Sequence, residues 1–130
     1  AAKGTQGGRL RAGRMARVGQ EMASKAKEFV DVGPAESIAP GERLDVTINY
    51  VGVAIFNLDG TYYAIEDVCT HDGGTLSEGE IVAGCQIECP RHGARFDIRT
   101  GAVTRGPAFE PTQSYAVQVV DDRILVEKPL

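Results

Sequence analysis

Cys69-Thr70-His71 and, after seventeen further residues, Cys89-Pro90-Arg91-His92 are the parts of this chain whose residue types and spacing can do chemistry. Each box places a thiolate and an imidazole two or three positions apart, and these two histidines are the only ones present. A lone Cys is commonly a buried small hydrophobe, but four such ligands in two short boxes read as a metal site. Two kinds of centre suit them. Two thiolates and two imidazoles make a closed tetrahedral zinc site, although the usual finger pairs Cys with Cys and His with His, whereas each box here offers one of each. That interleaving also suits two sulfide-bridged irons, one taking both Cys and the other both His. Spacing alone leaves both open. Cys85, four residues before Cys89, reads as a packed core thiol on the approaching strand rather than a fifth ligand.

The rest of the composition bounds what such a centre can belong to. A chain of 130 residues suits one domain with a modest core, so one site should carry the function. Three cysteines, an odd number without a disulfide framework, fit a reducing compartment. No run approaches the roughly 18 to 20 apolar residues of a membrane span, and no apolar stretch follows the basic N-terminus as in a secretory signal. A soluble, cytoplasmic protein is expected. Net charge is -4 and unevenly spread: residues 1–22 carry +4 and residues 23–130 carry -8. An acidic body repels nucleic acid and suits fast, salt-sensitive docking to a basic protein face.

The elements that must position the boxes are strands. Residues 1–24 form a basic N-terminal arm or extension, rich in Gly and weak in apolar periodicity, whose other reading is sequence upstream of a start at Met22. Residues 25–130 form the domain. Phe29, Val30 and Val32 precede a Gly33-Pro34 breaker, and Leu44, Val46 and Ile48 alternate with polar residues as a half-buried strand does. Residues 51–58 and 61–68 flank Asp59-Gly60, the strongest hairpin signal in the chain. Further strands are expected over 86–88, 95–98, 102–104, 115–120 and 124–127, with turns at Thr100-Gly101 and Asp121-Asp122. Short strands with polar turns indicate an all-β sandwich or barrel. No internal repeat and no long helix is visible.

The segment CTHDGGTLSEGEIVAGCQIECPRHGARFDIRTG resembles the two cluster-binding loops of Rieske proteins, in the variant found in Rieske ferredoxins of bacterial ring-hydroxylating dioxygenase systems. The likeness extends over about residues 28–128, with the cluster-binding subdomain over about 67–109. It implies one Rieske-type 2Fe-2S cluster per chain, Cys69 and Cys89 on a buried iron, and His71 and His92 on an outer iron as the electron exit. It also implies a cover loop at Gly106, Pro107 and Ala108. The cytochrome bc relatives join an extra cysteine in each loop as a disulfide; with Arg91 in one box and Asp72, Gly73 and Gly74 after the other, that bridge cannot form here. Those relatives also place a Ser and a Tyr near the cluster sulfurs, where this chain has Ala94 and Phe96. Missing donors to sulfur imply the low end of the Rieske range, about -150 mV.

The function that the resemblance implies is a ferredoxin, not itself an enzyme, that takes single electrons from an NAD(P)H-dependent flavin reductase to a terminal oxygenase. Glu66, Asp67, Asp72 and Arg91 are candidates for the docking rim. Two other readings stay open: a small Rieske subunit of a larger redox enzyme such as a nitrite reductase or oxygenase, and a zinc-stabilised interaction module.

Overall fold

Residues 53–57 are buried without a break in the strand Val51–Leu58. A strand covered on both faces reads as a continuous apolar run. Because successive side chains alternate, Val53 and Ile55 point to one core while Ala54 and Phe56 point to another. The computed structural model describes residues 27–130; the expected basic arm over 1–24 lies outside the described residues.

In chain order the strands are β1 (Phe29–Pro34), β2 (Arg43–Ile48), β3 (Val51–Leu58), β4 (Thr61–Glu66), β5 (Glu80–Val82), β6 (Gln86–Glu88), β7 (Arg95–Asp97), β8 (Val103–Arg105), β9 (Ser114–Tyr115), β10 (Val117–Val120) and β11 (Arg123–Glu127). They form three antiparallel sheets, β9-β4-β3-β2, β8-β7-β6-β5 and β10-β11-β1. Two 3-10 turns, Ala35–Ser37 and Leu76–Glu78, are the only helical pieces among the described residues, so the all-β expectation holds. Among these residues no helix is long and apolar enough to cross a membrane.

The sheet built on β3 is the middle layer. Ala54 faces Ile65 across the ladder and Ile55 faces Ala64, and directly paired residues share a face. Val53, Ile55 and Ala64 therefore pack with Ile124 and Val126 of β11. Ala54, Phe56 and Ile65 pack with Leu76, Ile87, Phe96, Ile98, Cys69 and Cys89. One core joins β1 and β11 to the middle sheet; the other holds the thiols.

Two-residue hairpin turns join β2 to β3, β3 to β4 and β10 to β11. Both residues of each turn have positive φ: Asn49 and Tyr50 at 52° and 67°, Asp59 and Gly60 at 55° and 95°, Asp121 and Asp122 at 51° and 63°. Such a geometry matches the strand twist. The structure departs from the sequence reading at several strands. The strand expected over 115–120 splits at Ala116, its first part pairing β4 and its second β11, because alternation shows which face a residue takes but not which sheet. The strand expected over 61–68 ends at Glu66, that over 102–104 begins at Val103, and β5 was not foreseen.

One buried polar side chain secures the middle layer. Asn57, 3% exposed, donates from Nδ2 to the Ile38 carbonyl at 2.7 Å and accepts the Gly60 N–H at Oδ1 at 2.7 Å. Asn57→Ala leaves both backbone partners without this side chain and is expected to destabilise by about 2 kcal/mol, seen as a lower denaturant midpoint at unchanged slope.

Asp97 closes the turn between β7 and β8. Its carboxylate accepts the Arg99 backbone N–H and two guanidinium N–H groups at 2.8 to 3.1 Å, and its carbonyl accepts the Gly101 N–H at 2.7 Å. The Arg99 guanidinium, with the Arg99 amide, holds this carboxyl below its ordinary value against the opposing effect of burial. A depressed carboxylate contributes stability that is complete above the unfolded value of about 3.9 and is lost as pH falls through the folded value. Asp97→Asn is expected to cost about 1 kcal/mol or less at neutral pH, and pH-dependent denaturation should show the gap to wild type closing below about pH 4.

Candidate metal centre

Two turns of the same construction carry the boxes. In the first, the Cys69 N–H donates to the Gly74 carbonyl at 2.8 Å and the Gly73 N–H returns to the Cys69 carbonyl at 2.7 Å. In the second, the Cys89 N–H donates to the Ala94 carbonyl at 2.7 Å and the Gly93 N–H returns to the Cys89 carbonyl at 3.1 Å. Gly73 and Gly93 adopt φ of 77° and 80°, a left-handed conformation that glycine reaches without a Cβ penalty. The first turn follows β4; the second is the tip of the β6–β7 hairpin, where Glu88 pairs with Arg95. The pattern repeats in the backbone although the sequence shows no internal repeat.

Side chains supply what holds the first turn to the sheets. The Asp67 carboxylate accepts the Ser77 N–H at 2.6 Å and its hydroxyl at 2.7 Å. Arg43 donates to the Ser77 and Gly79 carbonyls at 3.0 and 2.6 Å, while its guanidinium lies 5.6 Å from the Phe56 ring centroid. Asp67 is thus turned inward to a structural partner and does not form the docking rim expected of it.

Within this frame the four sequence-selected residues converge. Cys69 and Cys89 are each 1% exposed, whereas His71 and His92 are exposed, with ring centroids 5.2 Å apart and planes at 90°. Asp72 stands between the pairs. One donor atom from each of Cys69, Asp72 and Cys89 lies within 4.8 Å of the others, and the same holds for His71, Asp72 and His92. The sequence makes Asp72 a candidate for the rim; its carboxylate is only 12% exposed and lies 2.8 Å from His92 Nδ1. An acidic residue directly after the first His was the only signal available.

Burial pushes the Cys69 thiol up from its ordinary value, opposed by the His71 and Asp72 backbone N–H groups aimed at its sulfur. A metal at this position removes that proton outright. The Gly74 N–H donated at 2.8 Å is the chief cause holding Asp72 below the ordinary carboxylate range, with His92 and Arg91 adding to it. Ala94 and Phe96 are fully buried beside both thiols. Ala108 packs in the same core, while Gly106 and Pro107 are exposed. Cys85 is half-buried in the β5–β6 turn and is not the packed core thiol expected, because the hairpin bends one residue before β6 begins.

The Rieske [2Fe-2S] domain family matches residues 28–116 of this chain. The chain belongs to the Rieske [2Fe-2S] family. Within it, the biphenyl dioxygenase ferredoxin subunit of Pseudomonas sp. strain KKS102 is 37% identical over 99 residues, spanning 76% of this chain and 91% of that protein. The ferredoxin of carbazole 1,9a-dioxygenase from Nocardioides aromaticivorans IC177 shares the fold with TM-score 0.74 at 33% identity, covering 78% of this chain and 98% of that one. A chain from the complex of reduced oxygenase and oxidized ferredoxin in carbazole 1,9a-dioxygenase aligns with TM-score 0.73 at 32% identity, covering 78% and 96%. This places the Rieske chain in the ferredoxin branch, as a one-electron carrier with a 2Fe-2S cofactor, and sets aside zinc. Two soft thiols in one group of donors and two imidazoles in an adjoining one are the donor set that such a cluster takes.

A β-carbon at Gly79 would collide with the Glu88 carbonyl oxygen, next to Cys89. Gly79→Ala is therefore expected to lose most of the visible absorbance of the iron-loaded protein, measured against protein concentration. Gly52→Ala, whose added carbon meets only Asp67 Cβ at 3.8 Å, should keep it.

Proposed function

We propose that this Rieske ferredoxin takes single electrons from an NAD(P)H-dependent flavin reductase to a terminal oxygenase in the cytoplasm. Residues 25–130 form the working domain, with 67–109 as the cluster-binding part. In this reading Cys69 and Cys89 hold one iron, and His71 and His92 hold the other. The observation that carries it is the division of the four ligands: buried thiols beneath an exposed imidazole pair. Bound there, the cluster supplies a one-electron couple. The apolar wall of Leu76, Ala94, Phe96 and Ala108 keeps water from the thiol side. His71 and His92 form the electron exit, where a docked partner comes nearest.

Gly106, Pro107 and Ala108 serve as the cover loop. Ala108 is buried in the core that also holds the thiols, and Thr70 Oγ1 ties this segment to the first turn by donating to the Glu110 carbonyl at 2.6 Å. Between those anchors Phe109 stands 85% exposed. Aromatic residues at the centre of an interface commonly dominate its energy, so the exposed Phe109 of this loop is an anchor for the partner, and Arg91, 61% exposed, is a rim residue that remains outside.

Metal analysis should find two irons and two sulfides per chain, and a redox titration should find a potential near the low end of the Rieske range, about -150 mV. A His92→Cys variant that keeps the cluster should have a lower potential; an unchanged one would sink the histidine assignment. Phe109→Ala should weaken binding to oxygenase by about tenfold while absorbance and potential stay as in wild type.

A further inference from the structure

We propose that Tyr50, at the tip of the β2–β3 hairpin, and the cleft beside it form a second contact for the terminal oxygenase, with the cleft taking a basic side chain of that partner. This rests on the docking reading above and extends it away from the imidazoles.

Tyr50 is unfavourable for folding on two counts. Its φ of 67° lies in the left-handed region, where a bulky side chain is an outlier. The other two-residue hairpin tips place Asp59-Gly60 and Asp121-Asp122 there instead. The Tyr50 side chain is also 99% exposed, so packing within the chain does not offset the strain. Backbone strain of this kind clusters at functional positions, and exposed tyrosines are among the residues that anchor protein interfaces.

The neighbours of Tyr50 fix where it stands. Asn49 donates from Nδ2 to the Pro129 carbonyl at 2.8 Å, and Val51 lines a cleft with Glu66, Gln113, Tyr115, Glu127 and Leu130. Leu130, like Tyr50, is exposed. Burial, and then the Glu66 and Glu127 carboxylates, push the Tyr115 hydroxyl up from its ordinary value, so both acids lie close to it. Glu127 has Lys27 at 3.8 Å, and Lys128, which also borders the cleft, is paired with Glu28 at 3.3 Å. Glu66 forms no ion pair among the described residues. A carboxylate without a cation, set between apolar lips, suits an arginine or lysine that packs its stem on them and pairs its charge.

The cleft continues the docking surface. The Gln113 carbonyl accepts the Glu66 N–H at 2.8 Å, and Thr112 Oγ1 donates to the Glu66 carbonyl at 3.2 Å. Phe109 stands on the same segment, four residues before Gln113. On the other side of the sheet end, the Gly52 carbonyl accepts the N–H of Asp67, two residues before Cys69. The path from Tyr50 to Cys69 through that bond is about 20 Å at most. A standard interface of roughly 800 Å² per partner spans about 30 Å, so one oxygenase face can cover the imidazoles, Phe109 and Tyr50 together.

The test titrates the iron-loaded full chain with a purified terminal oxygenase that oxidises the wild-type protein, at low and high salt. Tyr50→Gly should weaken the complex about tenfold while raising the denaturant midpoint, because glycine takes this φ without a Cβ penalty. A purely structural role for Tyr50 would lower the midpoint and leave binding alone. Glu66→Gln should weaken the complex about threefold at low salt and not at high salt. Glu36→Gln, beside the β10–β11 turn where the Ala35 N–H meets the Asp122 carbonyl, should bind as wild type does. Visible absorbance should be unchanged in all three.

Wild-type affinity in Tyr50→Gly would overturn the second contact, and in Glu66→Gln it would overturn the basic side chain. Slower reduction by the flavin reductase with an unchanged oxygenase complex would overturn the choice of partner. A dimer that dissociates in Tyr50→Gly, seen by sedimentation, would overturn it in favour of a second copy of the chain. Failure of the docking reading shows differently, as wild-type affinity in Phe109→Ala.

Discussion

The structure depends on two backbone turns that each begin with a buried cysteine and present a histidine two or three residues later. In both turns the cysteine N–H and carbonyl are closed by residues four and five positions on. That closure fixes the backbone around the thiol, with the cysteine side chain buried and the histidine of the same turn exposed. The same few residues thus place sulfur in the core and imidazole at the surface. Burying the sulfur is costly for a free thiolate, and burial raises the Cys69 thiol; a bound metal reverses that cost.

Because the turns come from different places in the chain, their alignment is a tertiary problem. The β6–β7 hairpin holds the second turn, reinforced by the Arg95–Glu88 ion pair at 2.8 Å. The first turn hangs from β4 and is braced through Ser77 and Gly79 by Asp67 and Arg43. Gly79 lets the 3-10 turn approach the Glu88 carbonyl, and so brings the first turn's outgoing chain beside the start of the second.

The two cores divide the labour. The core of Val53, Ile55, Ile124 and Val126 carries the sandwich of the middle sheet and the β10-β11-β1 sheet. The core containing both thiols lies on the opposite face of β3 and β4. Substitutions around the thiols can therefore tune the site while the first core keeps the chain folded. The apolar choice at Ala94 and Phe96 shows this: both fill volume in the thiol core without offering a donor to sulfur.

The four candidate ligands and most of the strands are legible in the linear sequence, whereas the choice between zinc and a 2Fe-2S cluster is not. Soft ligands at fixed short spacing are visible in any linear reading, and the Asp59-Gly60 hairpin is a local preference that no distant contact opposes. Tertiary structure decided everything that depends on what comes to lie opposite. The continuous apolar run of β3 does not say which two cores it serves, and nothing local marks Ala116 as the point where a chain leaves one sheet for another. Asp72 looked like a surface acid until the second turn was folded against it. Nothing in the sequence sets Phe109 apart; it stands in solvent between Ala108, which is buried, and Glu110, whose carbonyl is held by Thr70. Local sequence specifies bonds closed within a few residues; which side chains meet across turns is set only when the sheets pack.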